Sequence, residues 1–341
     1  MTSASDRRAP VEAGPAMLEV RSAVRGFLAA TAEVRDAPLV VACSGGADSL
    51  ALAAATAHCA RKQELRVRAR VVDHGLQDGS AEVAARAADQ LARLGFADVA
   101  VLAARVTGPG GPEAAARRAR YAELDRARPA GAAVLLGHTL DDQAETVLLG
   151  LGRGSGARSI AGMRPWDRPW ARPLLGVSRD TTVRACAEAG LRPWQDPHNG
   201  ESRFTRVRLR TEVLPLLEDV LQGGVASALA RTARQLREDA DALDEVAATV
   251  RAQVERGAEL DAAALAAHPP AVRRRVLRGW LLERGVAELS DAHLRAADAL
   301  AGAWRGQGPR ALPGGFVLRR AHGRLQVERG GRGTAGPVSG G

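Results

Sequence analysis

Short apolar runs alternate with longer amphipathic ones along the first two thirds of the chain. Leu39 to Cys43, Val67 to Val72, Asp98 to Ala103 and Ala132 to Leu136 are short and mostly apolar, and predict strands. Between them the spacing predicts helices over Met17 to Glu33, from Ser49 to about Arg61, over Ser80 to Leu94 and over Glu113 to Arg128. In the first, Leu18, Val24, Phe27 and Leu28 are expected to face a core. Ser80 is expected to cap its helix and Gly95 to end it. Apolar strands alternating with helices predict an α/β domain whose parallel sheet is covered on both faces. A further helix opens after His138, and a short one covers Ser178 to Ala189.

From Ser227 the character changes. A long helix rich in acids and alanine runs to Val254, followed by helices over Pro270 to Arg284 and Ser290 to Ala301. Gly306 to Arg329, with turns at Gly314-Gly315 and Gly323, predicts a small β-hairpin. The expected organisation is a disordered tail over 1–16, an α/β domain over 17–222, a smaller, mostly helical domain over 223–329 and a second disordered tail over 330–341. Gln222-Gly223-Gly224 marks the boundary, and no internal repeat is visible.

In a parallel sheet, ligands bind beyond the carboxyl ends of the strands. Ser44-Gly45-Gly46-Ala47-Asp48-Ser49 falls there, between the first strand and its helix. The glycines permit a tight turn and close backbone approach. The helix N-terminus behind them favours an anion. Ser44 and Ser49 add hydroxyl donors. Asp48 would repel phosphate unless a cation lay between them, and Mg²⁺ is the usual one. The spacing and the absence of a lysine exclude a Walker A loop. The stretch instead resembles the PP-loop of the ATP pyrophosphatases, which implies that it binds ATP through the backbone from Ser44 to Ser49.

Asp73 and His74 follow the second strand, and His138, Asp141, Asp142 and Glu145 follow the fourth. Acids also favour helix N-termini for electrostatic reasons alone, and a single histidine serves equally as a core or capping residue. The clustering at one sheet edge nevertheless suits Mg²⁺. Arg203, Arg206 and Arg210 can share one helix face as a phosphate-binding stripe, although a solvated charged face is the default for such a run.

Composition narrows the partners. The net charge is +9, favouring a polyanion, while only 3% of residues are aromatic, so base stacking would play little part. Lys62 is the only lysine, so part of the basic character reflects a preference for arginine. Cys43, Cys59 and Cys186 are scattered, with no paired motif for zinc or a cluster. A reducing, cytoplasmic setting is expected, with no leader and no membrane-spanning stretch.

The ordered set extends well beyond one loop. Val72-Asp73-His74-Gly75-Leu76, Glu113 to Tyr121, Leu136 to Thr146, Arg153-Gly154-Ser155-Gly156, Arg172-Pro173-Leu174-Leu175, Asp196-Pro197-His198-Asn199 and the arginine stripe follow the PP-loop in turn. Over roughly residues 38 to 216 the chain closely resembles the tRNA(Ile)-lysidine synthetase family of bacterial PP-loop ligases. Gln77 stands where that family often has arginine, and His198 where a small hydroxyl residue is common. The C-terminal part looks like the compact family form without the last domain.

The resemblance implies an adenine nucleotide α-hydrolase-like fold and a specific reaction. ATP with Mg²⁺ adenylates the C2 oxygen of the wobble cytidine in a tRNA(Ile) with a CAU anticodon. Free L-lysine then displaces AMP, and lysidine forms. The tRNA thereby switches from AUG to AUA and from methionine to isoleucine. Asp48, Asp141 and Asp142 would hold Mg²⁺, and Asp73 and His74 would lie near the adenosine. His138 or a nearby acid would position or deprotonate the lysine amine. Arg117, Arg120, Arg206 and Arg210 would meet tRNA or AMP phosphates. The alternatives are another PP-loop tRNA-modifying enzyme, such as a 2-thiocytidine synthetase, and a non-catalytic nucleotide sensor. The oligomeric state is left open, a homodimer included.

Overall fold

Proline lacks an N–H, which costs nothing at the first position of a helix. Pro15 accordingly opens α1 (Pro15–Ala30), earlier than the hydrophobic spacing suggests, and the next N–H groups, of Ala16 and Met17, donate to the Glu188 carboxylate at 3.2 and 2.7 Å. Val20, Val24 and Leu28 face the core, whereas Leu18, expected inside, is 54% exposed. The chain breaks at Thr31 before a short α2 (Ala32–Arg35). The computed structural model describes residues 13–75, 79–107, 111–154, 156–196, 200 and 204–330, without the side chains of 112–114. The rest of both expected tails, with Gln77, His198 and Arg203, lies outside the described residues.

The succession then follows the predicted alternation. It runs through β1 (Leu39–Cys43), α3 (Ala47–Gln63), β2 (Val67–Asp73), α4 (Ser80–Arg93), β3 (Val99–Ala103), α5 (Gly111–Ala127), β4 (Ala133–Leu135) and α6 (Leu140–Gly152). After α7 (Ala157–Ile160) come β5 (Trp166–Asp167), β6 (Trp170–Ala171) and α8 (Arg179–Glu188). Next are α9 (Thr205–Arg208), a π-helical turn over Leu209–Val213 and α10 (Leu214–Val220). Gly79, at φ +79°, takes the N-cap position of α4, so Ser80 is its first helical residue and not its cap.

The sheet order is β3-β2-β1-β4-β6-β5, parallel throughout except for β5 against β6. Period-two alternation sends the two sides of β1 into two cores. Leu39, Val41 and Cys43 pack with α1, α3 and α8, while Val40 packs with Leu124 of α5 and with Val134. α3 is buried all round from Leu50 to Ala57, and its alanines let the helix lie close against its neighbours. The β5–β6 pair, with two residues per strand, is too short to show any periodicity in sequence.

Contacts divide the chain into two units, Met1–Gly154 with Ser159–Ala233 and Ser155–Arg158 with Arg234–Gly341. The division falls inside α11 (Val225–Val254). The second unit continues through β7 (Glu255–Arg256), β8 (Glu259–Asp261), α12 (Ala262–Ala266), α13 (Pro270–Glu283), α14 (Asp291–Gly302), β9 (Arg310–Leu312), β10 (Phe316–Ala321) and β11 (Arg324–Arg329). Its antiparallel sheet, ordered β7-β8-β11-β10-β9, extends the predicted hairpin to five strands. A separate core surrounds the fully buried Trp280. Among the described residues no single helix is long and apolar enough to cross a membrane.

Leu135 has no exposed surface at the centre of the first unit. Leu135→Ala is expected to destabilise that unit by about 2–5 kcal/mol, the usual cost of such a cavity. Urea unfolding followed by circular dichroism checks this, and a loss under about 1 kcal/mol would place Leu135 outside the cooperative core.

Candidate active site

The loop after β1 owes its shape to two side-chain choices. Gly45, at φ +85°, turns the chain, and its carbonyl accepts the Trp194 N–H at 2.9 Å. Ser49, buried in the first turn of α3, braces the loop: its hydroxyl donates to the Gly46 carbonyl at 2.9 Å and accepts the Ser44 N–H at 3.1 Å. Ser49 is thus largely occupied within the loop, whereas the Ser44 side chain is exposed. No side chain caps α3, whose N-cap is Gly46, so its first N–H groups have no capping partner. They border a cavity of about 1010 Å³ lined by Ser44, Gly46, Ala47, Asp48 and Ser49, with Gly45 turned away from it.

The last residue of β2 and residues beyond β2 and β4 line the same cavity: Asp73, His74, Gly137, His138, Asp142 and Glu145. The Asp73 carboxylate accepts the Gly75 N–H at 3.0 Å. Gly137 presses against the PP-loop, since a Cβ there would lie 2.9 Å from the Asp48 carbonyl carbon and oxygen. Burial lowers the pKa of His138, and its Nδ1 is buried without a hydrogen-bond partner. The imidazole is therefore neutral at pH 7, and the same burial makes it resist protonation. His74 is likewise lowered by burial, with the Arg120 charge adding to the effect.

The three neighbouring acids have separate duties. Asp142 closes a capping box on α6, its Oδ2 accepting the Thr139 N–H at 2.8 Å and the Thr139 hydroxyl at 3.0 Å. Its other oxygen accepts from Arg179 Nη2 at 2.9 Å. Asp141, expected beside Asp48 and Asp142, instead accepts the backbone N–H of Arg179 at 2.8 Å and is not among the residues lining the cavity. Glu145, with no exposed surface, pairs with Arg210 at 2.7 Å and lies 3.9 Å from Arg206. The Asp48 carboxylate accepts from Arg179 Nε at 3.2 Å and from the Thr182 hydroxyl. Burial raises the pKa of Asp48 and of Glu145. Burial also acts to raise Asp142, but Arg179 and the Thr139 N–H outweigh it and hold that carboxyl below its usual range.

All four predicted arginines line the cavity. Arg206 and Arg210 face Glu145 from α9 and the π-helical turn. Arg117 donates to the Tyr121 hydroxyl at 3.1 Å, and its guanidinium and that of Arg120 lie 5.0 and 5.7 Å from the Tyr121 ring centre. Uncapped helix N–H groups, arginines and carboxylates in one cavity suit a bound polyphosphate with its cation.

Two family models match. One, described as a PP-loop domain, matches residues 20–217, and the other, described as the TilS substrate binding domain, matches residues 260–326. A Rhodococcus opacus protein named tRNA(Ile)-lysidine synthase is 59% identical over 318 residues, 92% of this chain and 96% of the relative. The chain belongs to the tRNA(Ile)-lysidine synthase family. A Nocardia farcinica protein of the same name is 56% identical over 321 residues, 93% of this chain and 99% of the relative. Among solved structures, the U34-tRNA thiolase NcsA of Methanococcus maripaludis, with its 4Fe-4S cluster, superposes with a TM-score of 0.53 at 16% identity. It covers 65% of this chain and 80% of that one, a likeness of fold alone. The three cysteines of this family member are buried, and burial pushes the Cys186 thiol up to about 12.

Arg179 and Thr182 are the site residues that motif reading misses in this lysidine synthase family member. One signal was present. Arg179 opens α8 just after its N-cap Ser178, where a cation runs against the helix dipole and needs an anion to hold it. Among the described residues no three His, Cys, Asp or Glu are placed to hold a metal ion by themselves. Asp48 and Asp142 still fit Mg²⁺, which commonly takes one or two carboxylates and completes its shell with phosphate and water.

Gly137→Ala is expected to cost about 1–3 kcal/mol by overpacking the PP-loop backbone. It should also weaken ATP binding, because the loop must shift to admit the methyl group. Thermal melts and calorimetric ATP titration test both effects, and unchanged values in both would show that the contact yields freely.

Proposed function

We propose that this chain carries out the reaction for which its family is named, with ATP and free L-lysine as co-substrates and a CAU-anticodon tRNA(Ile) as acceptor. The observation that carries the reading is one cavity holding both the uncapped PP-loop helix terminus and the Asp48–Asp142–Glu145 carboxylates. Adenylation needs the first for departing pyrophosphate. Ligation of an amine needs acidic groups and a neutral base nearby.

In the first step the C2 oxygen of the wobble cytidine attacks the α-phosphorus of ATP, and the bond to pyrophosphate breaks. The N–H groups at the start of α3 and the exposed Ser44 hydroxyl bind the leaving pyrophosphate. Mg²⁺, held by Asp48 and Asp142, would supply charge stabilisation for that departure. Arg117, Arg120, Arg206 and Arg210 meet the AMP and tRNA phosphates, and Asp73 and His74 border the adenosine. In the second step the lysine ε-amine attacks C2, and AMP leaves with the oxygen. The amine must be neutral to attack; neutral His138 orients it, and a nearby carboxylate whose pKa is raised by burial takes its proton. Glu145 Oε2, buried with no hydrogen-bond partner, suits an ammonium group of the lysine. The wobble base lies in a single-stranded loop and enters the cavity at modest cost. A cytoplasmic setting fits free lysine, ATP and three reduced cysteines.

The decisive assay combines purified protein, ATP, Mg²⁺, labelled lysine and two CAU-anticodon tRNAs, one isoleucine and one methionine. Lysine is expected in the isoleucine tRNA alone, with AMP and pyrophosphate released. Pyrophosphate release without lysine incorporation would retain adenylation and reject lysine as the nucleophile. Asp48→Asn should lower pyrophosphate release by about 100-fold or more while tRNA binding stays close to normal. Near-normal release by that variant would remove Asp48 from the reaction.

A further inference from the structure

Among the described residues, Arg179 touches both carboxylates assigned to the cation. Its Nε lies 3.2 Å from Asp48 Oδ2, its Nη2 lies 2.9 Å from Asp142 Oδ1, and its Nη1 is 4.0 Å from Glu145 Oε1. The backbone beneath it is fixed, with the Arg179 N–H donating to Asp141 and Thr182, on the same helix, donating to Asp48 Oδ1. The planar guanidinium suits this task, since its fork reaches two carboxylates at once. Arg179 Nη1 and Glu145 Oε2 are nevertheless buried without hydrogen-bond partners, so the cluster retains unused bonding capacity.

Mg²⁺ requires its carboxylate oxygens at about 2.0–2.1 Å in near-octahedral geometry. A guanidinium bonded to the same Asp48 oxygen occupies that space and neutralises that charge. The two cations are therefore alternatives. A free divalent ion would have to displace Arg179 toward Glu145, which already faces Arg210 and Arg206, leaving the guanidinium poorly neutralised in a partly buried site. ATP changes the balance, because its phosphates bring both cation ligands and a new partner for Arg179.

We propose that Arg179 is a resident counter-ion that bars free divalent cations from Asp48 and Asp142 and releases these carboxylates only to a cation arriving with ATP. The consequence is that cation and nucleotide enter together, so no pyrophosphatase centre stands loaded before its substrate. This rests on the assignment of Asp48 and Asp142 to the cation made above. Arg179 acts here as a positioning residue.

The test uses the full chain and Mn²⁺ as the probe, with binding read by electron paramagnetic resonance of free Mn²⁺ in the absence of nucleotide. Arg179→Gln is expected to bind one Mn²⁺ at least about tenfold more tightly than the unaltered chain, equivalent to about 1.4 kcal/mol. The gain should vanish in Arg179→Gln combined with Asp48→Asn. A purely structural role for Arg179 would lower the melting temperature without creating cation affinity. Should Arg179→Gln fail to fold, Arg179→Met carries the test, because it keeps much of the length but removes the charge, and it too must tighten Mn²⁺. A folded Arg179 variant that binds Mn²⁺ no more tightly overturns the proposal, as does a gain that survives loss of Asp48. Mn²⁺–ATP binding to the Asp48→Asn variant separates the two levels. Unweakened binding there removes Asp48 from the cation site itself, whereas weakened binding with no effect of Arg179→Gln rejects the counter-ion role alone.

Discussion

Charge balance in a partly buried cavity is the constraint on which the first unit depends. Asp48, Asp142 and Glu145 come from the loop after β1 and the start of α6, and none can remain ionised there without cations. The cations come from later in the chain: Arg179 from α8, Arg206 from α9 and Arg210 from the π-helical turn. Pairing them obliges those segments to fold back across the carboxyl edge of the sheet. The same contacts that neutralise the acids therefore complete the walls of the cavity.

Within this frame, uncapped N–H groups and a buried carboxylate sit side by side without cancelling. The backbone at the start of α3 offers N–H groups left uncapped by any side chain, while Asp48, in the same first turn, points to Arg179 and Thr182. The helix terminus offers its donors through its backbone, and the carboxylate meets the Arg179 guanidinium through its side chain. Ser49 keeps the two apart by locking the loop from inside. Gly137 brings the chain after β4 hard against the same backbone, so the segments after two adjacent strands pack directly on each other.

The second unit is held by different means. Its core around Trp280 is apolar, and its charged side chains pair locally, as Arg273 does with Asp298 at 2.7 Å and Arg251 with Glu255 at 2.8 Å. The family model described as a substrate binding domain falls on this unit, while the PP-loop model falls on the first. The two matched family models thus fall on separate cores.

The alternation of apolar strands and helices was legible in the sequence, because local periodicity and turn residues specify it. So was the PP-loop, since Gly45 needs a positive φ and Asp48 needs a cation whatever surrounds them. Sequence also collected His138, Asp142 and Glu145 into one segment after β4. It could not sort them, because the direction of a carboxylate depends on what packs opposite. Tertiary structure sent Asp141 to the N-terminus of α8, turned Ser49 into a brace and placed Arg179 between Asp48 and Asp142. The two-residue strands β5 and β6 and the enlarged antiparallel sheet were beyond periodicity for a related reason. Such strands exist only through hydrogen bonds to neighbours distant in sequence. Local pattern determined which elements form and which loop carries the PP-loop residues, and long-range pairing of buried charges decided which side chains are left open there.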